Sequence, residues 1–128
     1  MKLLLDTHTF LWFVNGDAKL SSPSRQLIED VTNDRLISIA SIWEMAIKVS
    51  TGRLQFDEPF AHFIPTQLQQ NRIAILDITI AHTMHVAELP YHHRDPFDRL
   101  LIAQALVEVI PIVGADSAFD PYGITRLW

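Results

Sequence analysis

Short apolar runs alternate along this chain with longer stretches of helical character. The run Leu3-Leu4-Leu5 is closed at once by Asp6, and Lys2 to Leu5 is predicted as a short buried strand. Leu36 to Ile39, Ile73 to Leu76, Ile110 to Val113 and Ile124 to Leu127 bring the strand count to five. Thr9 to Val14 is apolar, predicts a helix and stops at Asn15-Gly16. Ser22-Pro23-Ser24 opens a second helix, with serine at the cap and proline at the first position, running to Thr32. Ile42 to Ser50 is a third, ended by Gly52. Asp57-Glu58-Pro59 begins a helical region that Pro65 is expected to divide, its second part reaching Gln70. Ile80 to Glu88 follows, and Pro96 to Val109 is the strongest helix of the pattern.

Strands alternating with helices imply a parallel sheet covered on both faces, and almost wholly apolar strands are what such burial requires. The expected fold is α/β: a three-layer α/β/α arrangement with a parallel sheet of about five strands. The 128 residues suffice for one domain with a real core, and no repeat, linker or low-complexity tract divides residues 1–128.

The position of four acids changes this picture from a fold to a site. Asp6 follows the first strand, Glu44 follows the second, Asp98 sits at the start of the strongest helix, and Asp116 follows Ile110 to Val113. In a parallel sheet, ligands bind outside the carboxyl ends of the strands, where the strand order reverses. Each acid also has a plain structural reading. Asp6 and Asp116 suit helix or turn caps, and Ser41 with Glu44 reads as a capping box. Asp95 suits a cap before Pro96, which puts Asp98 in the first turn. Capping does not require the four to converge, and the expected topology brings them to one edge. Carboxylates gathered there repel unless cations share the site, so a divalent-metal site is expected. Hard oxygen ligands suit Mg²⁺ or Mn²⁺, and such sites serve phosphoryl transfer. His8, His92 and His93 lack the paired spacing that would point to zinc.

Composition adds limits. The chain has no cysteine, which excludes disulfides and thiolate metal sites. The first apolar run is too short for a signal peptide, no stretch is long enough to span a bilayer, and a cytoplasmic setting is expected. A formal net charge of −5 argues against a polyanion partner, but clustered metal-holding acids weaken that argument. Among the cations, Lys48, Arg94 and Arg99 flank the acids and are candidate phosphate contacts.

Three segments carry a family likeness. Leu3-Leu4-Leu5-Asp6-Thr7, Ser41-Ile42-Trp43-Glu44-Met45-Ala46-Ile47-Lys48, and His93-Arg94-Asp95-Pro96-Phe97-Asp98-Arg99-Leu100-Leu101-Ile102-Ala103 occur in order, followed by Ala115-Asp116. Together they resemble PIN-domain nucleases, specifically the VapC-like toxins of type II toxin–antitoxin systems. The resemblance implies a metal-dependent endoribonuclease that hydrolyses RNA phosphodiester bonds. It places Asp6, Glu44, Asp98 and Asp116 at the metal, with Thr7 and Ser117 as assisting hydroxyls. It also implies a homodimer and a small VapB-like antitoxin, for which the apolar segment Phe10 to Val14 is a candidate groove. The alternatives are a non-catalytic RNA-binding or interaction module on the same fold, an aspartyl phosphatase and a receiver-type domain. His8 stands where the phosphatase pattern wants a second aspartate, and the receiver's paired acids after strand one are missing.

Overall fold

Leu3, Leu4 and Leu5 are fully buried because β1 (Lys2–Leu5) is the middle strand of the sheet. The computed structural model describes residues 1–128. Its other elements are α1 (Thr7–Asn15), α2 (Ser22–Glu29), β2 (Asp34–Ser38), α3 (Ile39–Ser50), α4 (Phe60–Asn71), β3 (Ile73–Leu76), α5 (Ile80–Glu88), α6 (Pro96–Glu108), β4 (Ile112–Val113), a 3-10 helix (Ser117–Tyr122) and β5 (Arg126–Leu127).

The strands run in the order β3-β2-β1-β4-β5, and every pair is parallel. Leu4 stands opposite Leu36 on one side and Ile112 on the other; Leu5 stands opposite Ile37 and Val113. Alternation along β1 divides the core. Leu3 and Leu5 pack with Phe10, Ile28, Ile37, Met45, Ile64 and Val113. Leu4 faces the other way, with Leu101, Ile102, Ala105, Ile112, Phe119 and Tyr122. Helices cover both faces, as the apolar strands require. The order turns back at β1, so the crevice between β1 and β4 is the switch point where parallel sheets bind ligands. No helix is long and apolar enough to cross a membrane.

Several boundaries differ from the sequence pattern. Ser21, not Ser22, caps α2, and that helix stops at Glu29. The chain leaves β2 directly into α3: Ser38 is the cap, its hydroxyl accepting from the Ala40 N–H at 3.0 Å. Ser41 therefore lies inside the helix, fully buried, and the Ser41–Glu44 capping box does not form. Strands β4 and β5 keep only two residues each of the expected four.

Pro65 does not divide α4, which runs unbroken from Phe60 to Asn71. Pro65 is exposed, and so is Ala61, the residue whose carbonyl it deprives of a donor. Phe63, Ile64 and Leu68 bind the helix to the core, and that burial outweighs one missing hydrogen bond. Pro65→Ala is expected to raise the free energy of unfolding by about 2 kcal/mol, the helix-propensity gain less the looser unfolded chain. Urea denaturation checks this, and a destabilised variant would show that the ring contributes packing.

Candidate active site at the β1–β4 crevice

Asp6 enters the site because β1 ends there and α1 begins. Its Oδ1 accepts from the Thr9 N–H at 2.8 Å, the bond that caps α1. The other oxygen lies against Gly114, at the end of β4. A Cβ on residue 114 would stand 2.6 Å from Asp6 Oδ2, so any side chain there would push the Asp6 carboxylate from its place. Burial raises the Asp6 pKa; the Thr9 N–H and the nearby His8 oppose the rise, and the charge of Asp116 adds to it.

Thr7 follows Asp6 and turns toward α3. Its hydroxyl lies 2.7 Å from Glu44 Oε1, to which it donates, and 2.9 Å from the Ser41 hydroxyl. The other Glu44 oxygen pairs with Lys48 Nζ at 3.1 Å, one helical turn on. Glu44 is thus held at both oxygens while remaining buried at 8% exposure.

Asp95 caps α6 by accepting from the Phe97 and Asp98 N–H groups, and Pro96 occupies the first turn. Asp98 is half-buried, and His93 Nε2 lies 2.8 Å from its Oδ2. Burial pushes the Asp98 carboxyl from its ordinary 3.8 up to about 6; the His93 hydrogen bond opposes this, and the charges of Asp95 and Glu44 reinforce it. Asp116 is exposed and caps the 3-10 helix through the Ala118 N–H at 2.9 Å, with Ser117 exposed beside it. Behind it Asp120 grips Arg126 through two bonds, and Arg126 also donates to the Gly114 carbonyl at 3.1 Å.

Two pairs of these acids feel each other's charge, Asp6 with Asp116 and Asp98 with Glu44. No three acidic or imidazole groups close on a common ion position in this arrangement.

Among the cations, Arg94 is exposed and Lys48 is engaged by Glu44. Arg99 departs from the expectation of a phosphate contact. It is buried at 8% exposure, and its guanidinium donates to the Pro90, Val86 and Leu89 carbonyls and the Tyr122 hydroxyl. Its phosphate-contact reading is withdrawn, because the side chain is buried and both terminal nitrogens donate to the protein. Three participants had no clear signal in the sequence: Gly114 against Asp6, Arg126 behind Gly114, and His93 on Asp98. For His93 the only hint was its place in the same short segment as Asp98.

The PIN domain family model matches residues 3–124, almost the whole chain. The chain belongs to the PIN domain family. A second likeness is to Ribonuclease VapC16 of Mycobacterium tuberculosis (strain ATCC 25618 / H37Rv), 37% identical over 62 residues. That match takes in 48% of this PIN chain and 44% of the relative, so the chain spans less than half of that protein's length in the alignment. Among solved structures, VapBC2 from Rickettsia felis, bound to a DNA fragment from its promoter, superposes with a TM-score of 0.74 at 19% identity, covering 99% of this chain and 98% of the other. VapBC-1 from nontypeable Haemophilus influenzae gives 0.68 at 13% identity, covering 99% and 97%. At these identities the likeness establishes a shared PIN fold.

The Asp98 environment generates a pH prediction for the metal-free protein. A carboxyl that takes up a proton more readily when folded than when unfolded favours the folded state at low pH. That contribution is whole below 3.8 and is lost as pH rises to about 6. Asp98→Asn is expected to flatten this decline and to be more stable than wild type at pH 7. Urea titrations at a series of pH values check it; an unchanged slope in the variant would show that Asp98 ionises without strain.

Proposed function

We propose that this PIN-domain chain is a divalent-metal-dependent endoribonuclease that hydrolyses RNA phosphodiester bonds, and that it is the toxin component of a type II toxin–antitoxin system. The observation that carries the reading is the placing of Asp6 and Asp116 at the carboxyl ends of β1 and β4, beside the switch point, and of Glu44 and Asp98 as a second acidic pair on α3 and α6. Burial makes the charged form of Asp6 and Asp98 costly, and a cation shared with them would offset that cost. The matched segment of a protein named a ribonuclease supports the choice of RNA.

The residues fit a hard cation. All four candidate ligands are carboxylates, the donor type that suits Mg²⁺ or Mn²⁺. When bound, such an ion supplies positive charge for the phosphoryl oxygens and eases deprotonation of water. The chain's own residues do the rest. Asp6 is fixed by its cap and by the Gly114 backbone. Thr7 orients Glu44 by donating to one of its oxygens, and this is the assisting role open to its hydroxyl. Ser117, exposed next to Asp116, offers a second hydroxyl on the other side of the crevice. Arg94, exposed four positions before Asp98, is the cation best placed to meet backbone phosphates. Lys48, paired with Glu44 and 30% exposed along its side chain, is a second candidate for phosphate contact.

Two partners belong to the proposal. A second copy is supported by the apolar side chains left uncovered near α3 and α5: Trp43, Ile80 and Met84 are 58%, 79% and 59% exposed. A small VapB-like antitoxin is supported by the fold shared with the VapBC structures and by Trp12, Phe13 and Val14 of α1, which pack against the core yet stay partly exposed.

Purified, antitoxin-free protein is expected to cut labelled cellular RNA into discrete fragments with Mg²⁺ or Mn²⁺ and to leave it intact in chelator. Asp6→Asn, Glu44→Gln and Asp98→Asn are each expected to abolish cleavage while remaining folded. Cleavage that survives chelation would overturn the metal claim, and a folded wild type inert with every metal would overturn the nuclease claim.

The partner claims have their own measurement. Light scattering at micromolar concentration is expected to give a dimer, and Trp12→Ala to weaken capture of a VapB-like antitoxin. A monomer, or undiminished capture, counts against the corresponding partner.

A further inference from the structure

Arg99 is a full positive charge buried at the first turns of α6 with no carboxylate partner. Burying an ion this way is unfavourable unless its donors are met, and here carbonyl oxygens and one hydroxyl meet them. The Pro90 carbonyl lies at 3.0 Å, those of Val86 and Leu89 at 3.3 and 3.4 Å, and the Tyr122 hydroxyl at 3.3 Å. The Tyr91 ring stacks on the guanidinium, 4.8 Å from its centroid to the central carbon.

These acceptors lie on two different segments. Val86, Leu89 and Pro90 belong to the end of α5 and the start of the connection to α6; Tyr122 belongs to the 3-10 helix that Asp116 caps. The same two segments meet again further along. The His92 ring sits edge-on to Tyr122 at 5.1 Å, and the His93 ring edge-on to Phe119 at 6.4 Å. His93 then reaches Asp98, the residue that precedes Arg99. The connection between α5 and α6 has no helix or strand of its own, so its course is set by these side-chain contacts and the Asp95 cap.

We propose that Arg99 is a positioning residue: a clasp that ties the α5–α6 connection to the 3-10 helix, so that His93 keeps the Asp98 carboxylate oriented for a divalent cation. The inference rests on the metal-site reading and adds a residue that touches neither substrate nor ion. The two terminal nitrogens, with four N–H groups between them, meet four acceptors on two segments, which the three donors of a lysine ammonium cannot do.

The test uses the full chain without RNA. Mn²⁺ binding, followed by the paramagnetic resonance of free Mn²⁺, is expected to weaken by about tenfold in Arg99→Lys, in the range seen when residues behind metal ligands are changed. Tyr122→Phe, which removes one acceptor and leaves the ring, is expected to weaken it less. His93→Gln, which still offers an N–H to Asp98, is expected to bind Mn²⁺ better than His93→Ala. In the His93→Ala background Arg99→Lys should add little further loss, because both act through one hydrogen bond. A lowered melting temperature with unchanged Mn²⁺ affinity, or losses that simply add, would overturn the clasp. Nitrogen-15 NMR of the His93 imidazole in the metal-free protein separates the two readings. If wild type takes up no Mn²⁺, the metal-site reading fails; a His93 ring unaltered by Arg99→Lys overturns the clasp in either case.

Discussion

The parallel pairing of β1 with β2 on one side and β4 on the other is the constraint on which the molecule depends. It buries three consecutive leucines on both faces of one strand and makes β1 the seam between the two core layers. It also forces the chain to leave β1 and β4 at the same edge. The hydrogen bond from the Asp6 N–H to the Val113 carbonyl, at 3.1 Å, carries the ladder one step past the strand, so the first acid is held at the mouth of the crevice. Gly114 gives way at that point because any side chain there would occupy the place of the Asp6 carboxylate.

Negative charge at this edge is managed by giving each acid a local duty. Asp6, Asp95 and Asp116 accept N–H bonds at the starts of α1, α6 and the 3-10 helix, where the orphan donors and the helix dipole favour an anion. Glu44 has no cap to serve and is held by Thr7 and Lys48; Asp98 is held by His93. Cap and site are therefore one arrangement: the bonds that start the helices also fix where the carboxylates stand. Burial first, and the neighbouring acids second, raise the pKa of Asp6 and Asp98, and a cation would offset that cost of charging.

The buried arginines play the reverse part. Arg99 draws carbonyls from two segments together beside the site. Arg35, also buried, does the same for the Ile28 and Arg72 carbonyls at the opposite edge of the sheet. Both are fixed by backbone dipoles, so neither is free to contact phosphate. Exposed Arg94 and the pliant Lys48 are what remain near the acids for that purpose.

Read alone, the sequence determined the strands, the α/β alternation and the acids at the strand and helix ends. Those features depend on local hydrophobic runs and on capping chemistry, which act over a few residues. The cap of α3 was misplaced from Ser38 to Ser41 because the same Ser-x-x-Glu spacing also serves a buried contact with Thr7, 34 positions away in the chain. Pro65 was overruled by the burial of Ile64 and its neighbours, which propensity does not register. His93 on Asp98, Gly114 against Asp6 and the burial of Arg99 were decided only by tertiary structure. Each depends on where a second segment passes, and a side chain's role as ligand, brace or contact is settled by which partners surround it.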